Sequence, residues 1–477
     1  MGSLLKRLLA SSVAYQAPSI VAAALALFTL PLYTRALTTA EYGYAETLLT
    51  FVILGSIVLR VGIGEAFVRF WFDDEDPVRR ERLARTTVTV VLATTSIAAL
   101  AGLAVAGPLS ELLLDTRDAR LMAGGLLGLW AFTNLEVAYA LLRVEERRRA
   151  FVRASLANVV LTVALTVVLV VVLDQGARGY VLGNYAASTV VLLALWADLG
   201  ARIRPVVPRR LGPLVRFGVP TIPAEAAVFA LNVVDRAYLL RVESPGAAGV
   251  YAVSVKLATA VILVVRGFQA AWPPLVYSVA DDDEARRLYA TVTTLYVLVV
   301  GSAVAAITLL GRWLVDLLAA PEFAGAHEAL PWVALGWALY GLYLVFVTIA
   351  GRAKVTTRNA PAALAGLVVN VVVLVVAVDR VGIAGAGIAL CAAYAVMLLA
   401  IHLLTRRLFA VPFAWARMAA ITGVLAVIAV GGELLLPTDG LAGFVSRCAA
   451  VALIPLALLP LSSRSEREFL RRALRRA

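Results

Sequence analysis

What most constrains this chain is the length and purity of its apolar runs. Residues 159–173 read VVLTVALTVVLVVVL, hydrophobic on every face that a helix could present. A soluble helix of that length would alternate apolar and polar positions, so the surroundings that such a segment calls for are lipid or other buried helices. With 62% of residues hydrophobic and only 16% charged, the solvent for the whole chain is a bilayer. A helix rising ~1.5 Å per residue needs ~20 residues to cross the hydrocarbon core. Fourteen segments reach that length, centred near residues 23, 57, 95, 131, 162, 189, 227, 263, 298, 338, 368, 394, 424 and 451. The expected fold class is therefore an all-α integral membrane protein of fourteen transmembrane helices. The last two, beginning near Pro412 and Gly440, are joined by the very short LLPTDG (435–440), and twelve is the alternative count.

Lys and Arg flanking transmembrane segments are retained on the cytoplasmic side. Starting with the N-terminus inside places the basic stretches at 6–7, 79–85, 143–153, 202–210, 351–358 and the Arg-rich tail in the cytoplasm, which accounts for most of the 43 basic residues. Both termini are predicted cytoplasmic, in a multi-pass protein of the inner or plasma membrane. Topology thus explains the +12 formal charge, and no nucleic-acid partner is expected. The first span is expected to be an uncleaved helix. Cys391 and Cys448 lie far apart in predicted spans, which suggests neither a disulfide framework nor a metal site.

Sliding the chain against itself by 206 residues superimposes Arg35 on Arg241, Gly43 on Gly249, Arg60 on Arg266, and Gly176 and Gly179 on Gly382 and Gly385. An intramembrane Arg matching an intramembrane Arg is hard to obtain by accident. The shift spans six helices, an even number, so the two halves are predicted to run in the same direction as a parallel repeat. The inferred organisation is two six-helix lobes, 1–205 and 206–407, followed by a helix pair and a basic tail over 408–477. In transporters built this way the substrate lies between the halves near the midplane.

Arg60 and Arg266 each fall about three residues past the middle of the second and eighth spans, roughly 5 Å on the cytoplasmic side. Lys256 adds a cation on the eighth span. Each intramembrane cation costs about 2.5 to 3.5 kcal/mol on insertion scales, which makes sense if it faces a wet cavity. Pairing with Glu225, Asp235 or Glu136 is the alternative. Asp235 adjoins Arg236 and is expected to pair with it, which leaves a positive balance suited to an anionic ligand. Arg forks grip phosphate oxygens in pairs. Gln269, Asn232, Tyr238 and Asn184 are candidates for hydrogen bonds to cargo. Glu225, Asp235 and Asn370 are candidates for coupling to a proton or sodium ion. Pro220 and Pro223 predict a bend in the seventh span. Phe469, Leu470 and Leu474 can form the apolar face of a surface-lying tail helix.

The stretches LPLYTRALTTAEYG (30–43), GVYAVSVKL (249–257) and FQAAWPPLVYS (268–278) resemble the Wzx-type lipid-linked oligosaccharide flippases, polysaccharide transporters of the multidrug/oligosaccharidyl-lipid/polysaccharide (MOP) exporter superfamily. The resemblance spans nearly the whole chain. It implies two six-helix lobes around a cavity with alternating access, and a polyprenyl-diphosphate-linked glycan as cargo in cell-surface polysaccharide assembly. Basic cavity residues hold the diphosphate in such proteins while the lipid tail stays in the bilayer. Arg60, Lys256 and Arg266 fit that role, whereas the first span carries no charge from Leu8 to Thr34. A polysaccharide polymerase or glycosyltransferases are implied as partners, with the flippase itself a monomer. No cofactor is expected beyond a coupling ion. No GxxxxGK[ST] motif is present, and no large outer loop suggests an enzyme. The alternatives are a cation-coupled drug exporter of the same superfamily, which calls for an acidic cavity, and a membrane glycosyltransferase or ligase.

Overall fold

The computed structural model describes residues 2–73, 76–207, 211–279, 281–352 and 358–461. The tail helix expected to carry Phe469, Leu470 and Leu474 lies outside them. In chain order the helices are α1 (Gly2–Ala36), α2 (Thr39–Leu59), α3 (Ile63–Asp73), α4 (Pro77–Ala104), α5 (Ala106–Leu114) and α6 (Ala119–Val144). There follow α7 (Arg148–Val167), α8 (Gly176–Leu199), α9 (Leu211–Gly218), α10 (Ile222–Val242) and α11 (Pro245–Ser278). The remainder are α12 (Asp282–Leu318), α13 (Ala326–Arg352), α14 (Asn359–Val381), α15 (Ile383–Thr405), α16 (Trp415–Leu435) and α17 (Gly440–Leu458). No strand occurs among the described residues.

Among the described residues, thirteen helices are long and apolar enough to cross a membrane. The segment expected as the seventh span is α10, which falls short of that measure because it carries Glu225, Asp235, Arg236 and Arg241. The C-terminal pair α16 and α17 meets it. Large apolar side chains lie on the outside, Val172, Val427, Leu434 and Leu441 among them, as lipid-facing helices require.

The chain forms two compact units. The first, Ala10–Val253, contains most of α1, then α2 to α10 and the first turns of α11. Its α2 starts at a capping box, in which Thr38 Oγ1 accepts from the Glu41 amide at 3.2 Å and Glu41 Oε2 accepts from the Thr38 amide at 3.0 Å. Repeat-related segments meet within this unit. A Cβ on Gly43 would overlap the Pro245 carbonyl, and one on Gly249 would overlap the Thr39 carbonyl. Since Thr39 and Gly43 are the equivalents of Pro245 and Gly249, the contact is reciprocal, as a local two-fold between α2 and α11 demands.

The second unit joins Met1–Leu9 to Ser254–Ala477. Arg352, at the end of α13, donates to the carbonyls of Val276 (2.8 Å) and Val279 (2.7 Å) and to Asp282 (2.8 Å). It thereby satisfies carbonyls that the end of α11 leaves free. Arg447 of α17 is 2% exposed, bonded to Glu433 and to the carbonyls of Leu309 (3.1 Å) and Pro437 (3.2 Å), with its guanidinium over the Trp313 ring.

Candidate cargo-binding site at paired helix breaks

The second span does not run straight through. Its helix stops at Leu59, turns over Arg60, Val61 and Gly62, and resumes as α3. Val61 has φ 53° and Gly62 φ 64°. A β-branched residue in that region costs about 1–3 kcal/mol and persists only where its surroundings hold it. Gly62 is required twice over, by its φ and because a Cβ there would overlap the carbonyl of Gly218 on α9. Gly218 is required reciprocally, since its Cβ would overlap the Gly62 carbonyl. The carbonyl of Leu59, at the end of α2, accepts from Thr94 Oγ1 of α4 at 2.9 Å. A neighbouring hydroxyl of this kind is what makes a break tolerable inside a membrane.

The seventh span breaks beside it. After Gly218 the chain makes one 3-10 turn, Val219–Thr221, with Pro220 early in the turn, and then forms α10. This is the interruption expected of Pro220 and Pro223, and it sets Glu225 in the first turn of α10. Arg60 therefore sits on a break rather than within the continuous helix that its spacing suggested. Its repeat equivalent Arg266 lies within unbroken α11, where Gly267 and Phe268 stand in place of Val61 and Gly62.

Arg60 Nη2 reaches Glu225 Oε1 at 3.1 Å, and its Nε lies 3.4 Å from the Ser56 carbonyl. The pair is not dry, with side-chain exposures of 20% and 39%. Beside it is a cavity of about 50 Å³ lined by Arg60, Glu65, Thr87, Glu136 and Arg143, room for a water or a small ion. Glu65 and Glu136 both act electrostatically on Glu225. Among the described residues that pair with Arg60 or line this cavity, Glu225, Glu65 and Glu136 stand with Arg60 and Arg143, so acids accompany the cation here. Glu65, carried inward by α3, was the uncounted charge.

The expected local pair between Asp235 and Arg236 does not form either, because adjacent residues on a helix point in different directions. Asp235, 1% exposed, accepts from Tyr251 Oη at 3.0 Å. Arg236 turns to α2, bonding Thr50 Oγ1 and lying 4.0 Å from Glu46 Oε2. Glu46 also accepts from Tyr180 Oη at 2.7 Å. Sequence reasoning missed Glu46, although an acid inside a span is itself a signal.

In the second unit Arg266 is exposed and lies within electrostatic reach of Tyr340. Among the described residues no carboxylate is within ion-pair distance of it. Gln269 and Lys256, on the same helix, are half-buried. Asn232 belongs to α10, but its side chain lies outside the described residues. Asn370 of α14 is fully buried, and both polar atoms of its amide lack a hydrogen-bond partner among the described residues. No group of three or more His, Cys, Asp or Glu among them is placed to hold a metal ion.

The many long apolar helices, with large apolar side chains exposed on them, define the class as a multi-pass membrane protein. Comparison with known structures agrees. The chain is similar to a structure described as lipid II flippase MurJ in an inward closed conformation, with a TM-score of 0.74 at 14% identity, covering 96% of this chain and 99% of that one. It is also similar to an inward-facing multidrug resistance MATE family transporter of the MOP superfamily (TM-score 0.67, 16% identity, 86% and 95% covered). A third likeness is to the Vibrio cholerae MATE transporter VcmN in its bent form (TM-score 0.56, 15% identity, 85% and 98% covered). No curated protein matches the sequence. A family model described as "Polysaccharide biosynthesis protein" matches residues 32–328, and the chain belongs to that family. Its fold is the one shared by those MurJ and MATE transporter structures.

Proposed function

We propose that this protein is a flippase that carries polyprenyl-diphosphate-linked oligosaccharide from the cytoplasmic to the outer leaflet of the inner or plasma membrane, for cell-surface polysaccharide assembly. The observation that carries this reading is Arg60, a permanent cation held at a helix break, part-exposed and tied to a part-exposed carboxylate. Such an ion pair can exchange partners. A diphosphate oxygen that replaces Glu225 takes two donors of the guanidinium, and the freed carboxylate is left facing Glu65 and Glu136. Uptake of a proton or a metal cation by that acidic group relieves the repulsion, and this makes Glu225 the coupling residue. Within the second unit, Arg266, exposed and with no carboxylate within ion-pair distance among the described residues, is itself a candidate anion contact, with Lys256 and Gln269 on the same helix.

In proteoliposomes holding a fluorescent polyprenyl-diphosphate sugar, the wild-type protein is expected to expose cargo to the opposite leaflet. Arg60→Ala and Arg266→Ala are each expected to abolish this while the protein still folds. Normal flipping by both variants overturns the anion-anchor reading. The excess of carboxylates around Arg60 favours one second reading, a cation exporter, and efflux of an organic cation without lipid-linked sugar movement would establish it instead.

A further inference from the structure

Two of the helices that line the charged cavity at Arg60, α4 and α6, also line a larger, open one of about 420 Å³ within the same unit. Its walls come from α2, α4 and α6, with α5 closing one side, and include Phe51, Val58, Ala98, Leu113 and Leu126. Every residue that lines it is apolar or glycine. Along α2 it extends from Leu48 to Leu59, eleven helical rises or about 16 Å. Leu59 is the residue immediately before Arg60. On α6 the two cavities follow one another in the same order, Met122 to Leu129 lining the apolar one and Glu136 to Arg143 the charged one. One seam thus carries a guanidinium at one end and an uninterrupted hydrocarbon slot at the other. Gly55, Gly102 and Gly125 let the slot's own leucines, Leu129, Leu126 and Leu48, lie close against the opposing helix backbones.

An amphiphile with an anionic head and a linear hydrocarbon tail matches that order of surfaces. We propose that this slot seats the polyprenyl tail of the cargo, its first isoprene units lying against α2 and α6 while Arg60 holds the diphosphate. The proposal rests on the flippase reading and goes beyond it: the tail travels against protein and not only through bilayer, and the protein measures prenyl length.

The experiment compares two cargoes with the same sugar diphosphate, one on a full-length polyprenyl chain and one on a single isoprene unit, too short to reach along the slot. Ala98→Trp fills the slot from α4, and Val160→Trp, on an outward-facing position of α7, is the control. Ala98→Trp is expected to slow flipping of the long-chain cargo by about tenfold, the scale of losing roughly two buried methylene contacts, and to leave the short-chain cargo within about twofold of wild type. Val160→Trp is expected to change neither. An equal loss for both cargoes, or a loss for neither, overturns the proposal. Independently of transport, a photoreactive benzophenone side chain at Phe51 is expected to crosslink a radiolabelled polyprenyl diphosphate, with excess unlabelled polyprenyl diphosphate competing and excess phospholipid not. Competition by phospholipid alone, or no crosslink, also overturns it. If the wild-type protein moves neither cargo, the flippase reading fails, and labelling at Phe51 still decides whether the slot takes a prenyl chain.

Discussion

At the scale of the residue, the governing question is what each intramembrane charge meets. Arg60 meets Glu225, and the two sides of that pair should respond differently to substitution. Arg60→Lys keeps the charge but loses the planar fork, so it is expected to retain flipping at about a tenth of the wild-type rate where Arg60→Ala retains none. Glu225→Gln frees Arg60 from its competitor and is expected to tighten binding of a polyprenyl diphosphate by about fivefold to tenfold, read by quenching of a fluorescent analogue. Asn370 is a buried amide without partners among the described residues. Asn370→Leu is expected to raise the melting temperature in sodium-free detergent, since an unsatisfied buried polar group costs about 1–3 kcal/mol. The same variant should lose any stabilisation that sodium gives the wild type. Outside the spans, Asp118 caps α6 by accepting from the amides of Leu121 (2.9 Å) and Arg120 (3.1 Å) and from Arg178 (3.0 Å). Partial burial pushes its carboxyl up, but those donors together outweigh burial and hold it below its ordinary value. A lowered folded value stabilises above the ordinary carboxylate range and is lost as pH falls through that folded value. Asp118→Ala should therefore cost about 1 kcal/mol near neutral pH, with the gap to wild type closing on acidification.

At the scale of the element, the decisive feature is a break that only one of two equivalent helices has. α2 and α3 together cover 39–73, and the same stretch shifted by 206 residues is α11, continuous over Pro245–Ser278. Arg sits at the matched place in both. What differs is the pair that follows, Val61 and Gly62 against Gly267 and Phe268, and the presence of Gly218 for Gly62 to touch. Gly62→Ala or Gly218→Ala pushes a methyl into the opposing backbone carbonyl, so each should separate α3 from α9, lower the melting temperature and weaken the Arg60 to Glu225 contact. Gly267→Ala, where a Cβ meets nothing within 4 Å, should be neutral or slightly stabilising in the same thermal measurement. The pair of prolines in the seventh span was legible as an interruption, whereas the break in the second span was not. Its single glycine looks no different from the many others in apolar helices until the partner backbone is known.

At the scale of the whole molecule, the length of the apolar runs sets the many-helix architecture. With Cys391 and Cys448 replaced by Ala, a cysteine at Arg149 is expected to be shielded from an impermeant maleimide in intact cells and one at Thr116 to be labelled. The reverse pattern would invert the orientation. Hydropathy, composition and the 206-residue offset are properties of the chain taken one residue at a time, so the sequence alone determined that this is a many-helix membrane protein with arginines at positions matched by that offset. It also marked Arg60, Glu225 and Asn370 as unusual, because a polar group in a span is costly wherever it points. Tertiary structure alone decided that Arg60 lies on a break, that Glu65 joins Glu225 and Glu136 around it, that Arg236 turns to Glu46 rather than to Asp235, and that an apolar slot leads away from the charge. Pairing is a property of which helix faces pack together, and no spacing within one helix specifies the neighbour against which it will lie.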